Sequence, residues 1–261
     1  MATLLRKLFG PDLAVDLGTA TTRVASAWSR RTFRAPSAVG ETRALRGGVV
    51  VEPDCAVEVL RPLFAQARRF GLTRPRVVAT VPTDADRDER LALEESVRRA
   101  GAAAVALAPE PLAAAIGAGL DLGLPYAQLI VDIGHGVTDC VVVRAGAVIE
   151  SAARRVGCGD LEEAPAPAEQ AILGFLESLV REVPHDVGAD LVESGIHLTG
   201  GGALVPGLAE AVERRTGLSV RRVPEPLSAV VLGGRRLIRT VTEQGAWTER
   251  RPRWRSRLVP R

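Results

Sequence analysis

The chain has 261 residues, 46% of them hydrophobic and 25% charged, with a formal net charge of +3. Such a composition excludes a collagen-like or wholly disordered chain, and the length suits one large or two modest domains. A balance of +3 does not by itself predict a nucleic-acid partner, and with only 3% aromatic residues the core must come from Ala, Val, Leu and Ile.

Residues 1–10 place Leu4, Leu5, Leu8 and Phe9 at helical spacing beside Arg6 and Lys7, with Gly10-Pro11 as a stop. This pattern predicts a short amphipathic segment able to lie in a membrane surface. A strand is expected at Leu13–Leu17, a turn at Gly18-Thr19, a second strand from Thr22 to Trp28 and a third within 32–39. Glu41–Val51 reads as short and turn-like. A helix is expected from Pro53 to Phe70, with Pro62 as a kink, and Arg76–Val81 reads as a buried strand between two prolines. Asp84–Ala100 predicts a charged amphipathic helix capped by Thr83 or Asp84.

The same kinds of element then recur: a strand at Ala104–Ala108, a helix at Leu112–Leu120, and a buried strand at Gln128–Ile133. A hairpin follows at Asp139–Val143 and Ala147–Ala152. Helices are expected at Ala168–Val183, Val205–Thr216 and Leu227–Arg239, with strands at Ile196–Thr199 and Ser219–Val223. Alternating strands, helices and hairpins predict an α/β fold with mixed sheets. The tail from Trp247 mixes arginines with Trp247 and Trp254 and is expected to be disordered. No stretch reaches the roughly 18 apolar residues of a membrane-spanning helix, and the N-terminus lacks a secretory signal. Cys55, Cys140 and Cys158 are too scattered for a disulfide framework or a zinc site. These features predict a cytoplasmic protein.

The two halves look alike. Each has a strand ending in Asp, a Gly-containing turn with hydroxyl residues and a return strand. In the first half these are Asp16, Gly18, Thr19, Ala20, Thr21 and Thr22; in the second they are Asp132, Gly134, His135, Gly136, Val137 and Thr138. Turns of this kind aim backbone N–H groups at one concavity, which suits phosphate oxygens. Two of them facing each other would clamp a polyphosphate, and the preceding Asp16 and Asp132 would lie where a hard cation such as Mg²⁺ is held. Gly200, Gly201 and Gly202 leave a strand toward a helix and permit the close approach of a flat ligand such as a purine. Glu110, pinned between Pro109 and Pro111, is placed as a helix-start carboxylate or as the group that polarises an attacking water.

The ordered set D-L-G-T-A-T-T, V-P-T-x-x-x-x-x-x-R-L-A-L-E-E-S, P-E-P-L-A-A-A-I-G-A-G-L, V-D-I-G-H-G-V-T-D and L-T-G-G-G-A-L-V-P-G-L resembles the MreB/Mbl family of bacterial actin homologues. The resemblance covers about residues 11–40, 76–160 and 195–238. It implies the duplicated, ribonuclease-H-like fold of the actin-like ATPases. It implies ATP and Mg²⁺ as cofactors, with Asp16, Gly18, Thr19, Ala20 and Thr21 on a first phosphate loop and Asp132, Gly134, His135 and Gly136 on a second. Asp16 and Asp132 would flank the metal. Glu110 would position the hydrolytic water, and Gly200, Gly201 and Gly202 would form the adenosine loop.

The resemblance also implies filaments at the inner membrane and a part in cell-wall synthesis. Both small subdomains of the family look nearly absent, one replaced by Glu41–Val51 and the other cut short at Ala164-Pro165-Ala166-Pro167. The expected organisation is therefore a membrane-binding segment at 1–10, subdomains at 11–110 and 111–240, and a basic tail at 241–261. The expected function is a cell-shape protein at an anionic inner membrane that binds ATP weakly or not at all. Its expected partners are a full-length MreB, its own copies or the wall-synthesis machinery, with no specific nucleic acid. The alternative is an active ATPase or phosphotransferase of the wider actin, Hsp70 and sugar-kinase superfamily.

Overall fold

A computed structural model describes residues 12–27, 31–68 and 73–243. The expectations for residues 1–10, for Trp28, for Phe70 and for the tail from Gln244 lie outside these residues.

The first strands, β1 (Leu13–Leu17), β2 (Thr21–Ser26) and β3 (Thr32–Pro36), form an antiparallel meander. Two small ribbons follow: β4 (Ala38–Val39) with β5 (Thr42–Arg43), and β6 (Leu45–Arg46) with β7 (Val49–Val50). Helix α1 (Pro53–Ala67) runs through Pro62 and buries Cys55, Ala56, Val59, Leu60, Leu63 and Phe64, the helical spacing of one face. Strand β8 (Arg76–Val81), helix α2 (Arg87–Arg99) and strand β9 (Ala104–Pro109) complete the sheet, ordered β3-β2-β1-β8-β9. Its β1, β8 and β9 are parallel, and their apolar runs are those of strands covered on both faces. Helix α2 starts later than the sequence suggests. Asp86, not Thr83 or Asp84, is its cap, accepting from Glu89 N at 2.9 Å while Glu89 accepts from Asp86 N at 3.0 Å.

The second region repeats this plan. Helix α3 (Glu110–Ala118) leads to β10 (Gln128–Ile133), β11 (Thr138–Arg144) and β12 (Ala147–Arg154), another antiparallel meander. A short helix, α4 (Cys158–Glu163), passes directly into α5 (Pro165–Glu182). Helix α6 (His185–Ser194), which the sequence reading does not contain, precedes β13 (Ile196–Gly200). A 3₁₀ turn (Gly201–Leu204), helix α7 (Leu208–Thr216), strand β14 (Val220–Arg222) and helix α8 (Ala229–Glu243) end the described chain. The sheet order is β12-β11-β10-β13-β14, with β10, β13 and β14 parallel. The two five-stranded sheets therefore have the same connectivity.

The described residues group into two compact units. The first holds β1–β9, α1, α2 and α8 from Val231 onward; the second holds Glu110–Val230 together with Pro82–Asp84. In the first, Leu13, Val15 and Leu17 of β1 pack with Leu60, Leu63 and Phe64 of α1. Alternation turns Ala14 and Asp16 to the other face, where Gly234 of α8 lies so close that a Cβ there would be 3.2 Å from Ala14 Cβ. In the second, Leu129, Val131 and Ile133 pack with Ile172 and Leu176 of α5, while Ile130 packs with Leu112 and Ala115 of α3. Each sheet thus presents its acidic strand end on the face opposite its larger core.

Candidate functional site

The first hairpin turns at Gly18-Thr19-Ala20. Asp16 is buried near the end of β1, and Gly18, Thr19 and Thr21 are half-buried while Ala20 is exposed. A side chain at Gly18 would put its Cβ 3.0 Å from the Thr21 carbonyl, so that carbonyl would have to give by a few tenths of an ångström to admit one. Two distant residues hold this turn in shape. Ser37 Oγ donates to the Gly18 carbonyl at 2.6 Å and lies 2.8 Å from Thr22 Oγ1, and its backbone N–H donates to Ala20 at 3.0 Å. The Gly48 N–H, from the turn between β6 and β7, donates to Thr19 Oγ1 at 2.9 Å. The Thr19 hydroxyl keeps its own proton to donate.

Asp16 stands directly opposite Arg23 on β2, and Arg23 Nη1 reaches Asp16 Oδ2 at 3.4 Å and the Thr21 carbonyl at 3.5 Å. Burial raises the pKa of Asp16 above the ordinary carboxylate value, and the Arg23 charge works against that rise.

The second hairpin has the same register. Asp132 stands opposite Asp139, seven residues on, as Asp16 stands opposite Arg23. Thr22 and Thr138 occupy matching places and both are buried; Thr138 Oγ1 donates to the Val156 carbonyl at 2.8 Å. The turn Gly134-His135-Gly136 is seated on the first turn of α4. Cys158 N donates to the Gly134 carbonyl at 2.9 Å, and Gly159 N donates to the His135 carbonyl at 2.8 Å. Gly157 and Gly159 make this contact feasible: a Cβ at Gly157 would lie 2.5 Å from the Gly134 oxygen, and one at Gly159 would lie 2.7 Å from His135 Nε2. The imidazole of His135 therefore lies against the backbone of Gly159.

The three glycines after β13 join this second hairpin. Gly200 has φ +78°, and a Cβ there would fall 2.3 Å from Asp132 Oδ1; one at Gly202 would fall 2.4 Å from Ile133 Cβ. Their tight approach is thus to the end of β10 itself. Asp132, Gly134, His135, Gly136, Gly200, Gly201 and Gly202 are brought together in one unit. Glu110 is buried at the first turn of α3, the helix packed on the sheet face to which alternation assigns Asp132 and Asp139.

Asp139 is fully buried and accepts two hydrogen bonds from Thr83, one from its N–H at 2.9 Å and one from its hydroxyl at 2.5 Å. Burial pushes its pKa up to about 7 despite the Thr83 bonds, with nearby Asp84 adding to the rise. Arg155 pairs with Asp84 at 3.3 Å. The sequence gives Arg23, Ser37, Gly48 and Asp139 no place in the site, and offers Thr83 only as a helix cap. Of these, Arg23 and Asp139 carried a readable signal, since each follows its aspartate by the same seven-residue spacing.

Among the described residues no group of three or more His, Cys, Asp or Glu side chains is placed to hold a metal ion. A divalent cation bound with a phosphate would take most of its oxygens from that phosphate and from water, and a hard carboxylate oxygen such as that of Asp132 suits it. Asp16 fits such an ion less well because Arg23 already pairs with it. No described helix is long and apolar enough to cross a membrane.

The chain matches the sequence profile of the MreB/Mbl protein family over residues 26–166 and 160–245. Cell shape-determining protein MreB of Escherichia coli (strain K12) is 26% identical over 340 aligned positions, covering 94% of this chain and 98% of that protein. Because 340 positions exceed the 261 residues of this chain, that relative carries segments this chain lacks. Cell shape-determining protein Mbl of Bacillus subtilis (strain 168) is 22% identical over 267 positions, covering 78% of this chain and 80% of that protein. Among solved structures, MreB5 of Spiroplasma citri bound to AMPPNP has a TM-score of 0.81 at 19% identity, covering 91% of this chain and 98% of that one. A MamK double helical filament has a TM-score of 0.71 at 18% identity, covering 87% and 99%. These likenesses show an actin-like ATPase fold.

Proposed function

The chain belongs to the MreB/Mbl protein family, and from that premise we propose that it is a shortened cell-shape protein of the bacterial cytoskeleton that binds ATP weakly. The observation that carries the nucleotide reading is the shared register of the two glycine turns, each directly following a strand whose penultimate residue is a buried aspartate. Backbone N–H groups of such turns suit phosphate oxygens. Gly18, Thr19, Ala20 and Thr21 serve one turn, and Gly134, His135 and Gly136 serve the other. Gly200, Gly201 and Gly202 face the base and ribose, Asp132 attends any bound metal, and Glu110 orients the attacking water.

The weakness of binding follows from the short insertions. Residues 38–50 build only two small ribbons, and α4 runs straight into α5. Little chain is left to shield a nucleotide from solvent, and charge–phosphate attraction falls as the local dielectric rises. The same shortening removes surface that a filament would use, which favours assembly with a full-length MreB over ordinary double filaments of this chain alone. The amphipathic residues 1–10 suit peripheral attachment to the anionic inner face of the cytoplasmic membrane, where the wall-synthesis machinery is the natural partner.

Isothermal titration with Mg-ATP tests the reading. The expected dissociation constant is roughly 0.1 mM or weaker, about −5.5 kcal/mol. Low-micromolar binding contradicts the weakness, and no binding at any concentration contradicts the nucleotide site. Co-sedimentation with full-length MreB, and flotation on anionic vesicles with and without residues 1–10, test the partner and membrane assignments.

A further inference from the structure

The two hairpins match in backbone but not in charge. At the place where the second carries Asp139, the first carries Arg23, ion-paired with Asp16 at 3.4 Å. Arg23 also stands in register with Arg34 on β3, so one face of the first sheet reads Asp16, Arg23, Arg34 across three adjacent strands. The like charge of Arg34 pushes Arg23 toward Asp16. Both members of the pair are largely buried, with side-chain exposures of 17% and 10%, which weakens solvent screening of the pair. Arg23 Nη1 further touches the Thr21 carbonyl, at the end of the glycine turn.

An arginine in this position does what a metal ion would do. It is permanently charged, it neutralises the aspartate, and its planar fork keeps further donors for phosphate oxygens. A divalent cation brought to Asp16 meets a fixed positive charge where it needs a bare carboxylate. We propose that Arg23 replaces the divalent cation at the first hairpin, so that this protein takes nucleoside triphosphate phosphates at Asp16–Thr21 without Mg²⁺. The inference rests on the nucleotide reading above and adds the metal requirement of that site.

The experiment is calorimetric titration of the full chain with ATP, in excess Mg²⁺ and again in EDTA, for the wild type and for Arg23→Gln. The glutamine is uncharged but still able to hydrogen-bond Asp16, and circular dichroism melts check its fold. Wild-type affinity is expected to change by less than about threefold when Mg²⁺ is removed, and the variant to bind at least about tenfold more weakly in EDTA than in Mg²⁺. Wild-type binding that vanishes in EDTA overturns the inference and leaves the nucleotide site standing. A variant as indifferent to EDTA as the wild type also overturns it, because Arg23 is then not the replacement. Absence of ATP binding by the wild type under both conditions removes the nucleotide reading and this inference with it. The wild-type comparison needs no variant, so a poorly folding Arg23→Gln does not shelter the idea.

Discussion

Asp139 stands directly opposite Asp132 across the β10–β11 pair, two buried carboxylates at neighbouring positions on one face of a sheet. Like charges so placed are unfavourable unless one of them is protonated or well bonded. Thr83 supplies two donors to Asp139, yet burial still wins and its pKa rises to about 7. The segment Pro82–Asp84 is therefore tied to β11 by a group that titrates near neutrality.

Replacing Asp139 by Asn tests that balance. In the folded state Asp139 keeps its proton up to about pH 7, whereas unfolded it loses it near the ordinary carboxylate value of 3.8. Its contribution to stability is present below about pH 4 and is lost as pH rises through about 7. Asn accepts from the Thr83 N–H and donates to its hydroxyl without a charge. Asp139→Asn is expected to be more stable than the wild type above pH 7, by a few degrees in melting temperature, with the difference shrinking toward pH 4. Thermal melts at a series of pH values check this, and a difference that does not depend on pH contradicts it.

The glycine turn after β13 offers a paired comparison. Gly200 and Gly207 both have positive φ, +78° and +81°, but only Gly200 faces a crowded space, against Asp132 Oδ1 and the Ile133 carbonyl. Gly207→Ala is expected to cost about 1–2 kcal/mol, the left-handed penalty alone. Gly200→Ala adds a backbone clash and is expected to cost about 3 kcal/mol or more. Urea denaturation of the two variants measures both. Equal losses would mean that the end of β10 yields to the added methyl group.

Ser37 is a third target, because it holds the first glycine turn from outside it. Its hydroxyl is buried and bonds both the Gly18 carbonyl and Thr22 Oγ1. Ser37→Ala leaves these two groups unsatisfied and is expected to cost about 1–3 kcal/mol. It is also expected to weaken ATP binding, since the turn loses the contact that sets its shape. Denaturation and calorimetry together decide: lost stability with unchanged affinity would separate Ser37 from the phosphate turn.

Much of this protein was legible one residue at a time. The apolar runs of β1, β8 and β10, the glycine turns that follow β1 and β10, and the doubled plan all follow from local periodicity and turn chemistry, which act over a few neighbours. The expected mixed α/β fold and the MreB/Mbl resemblance are borne out by the two matching sheets and the family match. Helix α6 escaped because His185–Ser194 follows a proline, begins with a weak helix former and carries Gly188 within its length. The sequence offers several Asp and Thr residues as the cap of α2, and only the reciprocal bond with Glu89 selects Asp86. What no local pattern contains is pairing across distance. Strand register set Arg23 against Asp16 and Asp139 against Asp132, and long-range packing brought Ser37 and Gly48 to the first turn and Gly200 onto Asp132. Those contacts form only when the sheets assemble, because hydrogen-bond register and burial are properties of the folded chain rather than of any segment of it.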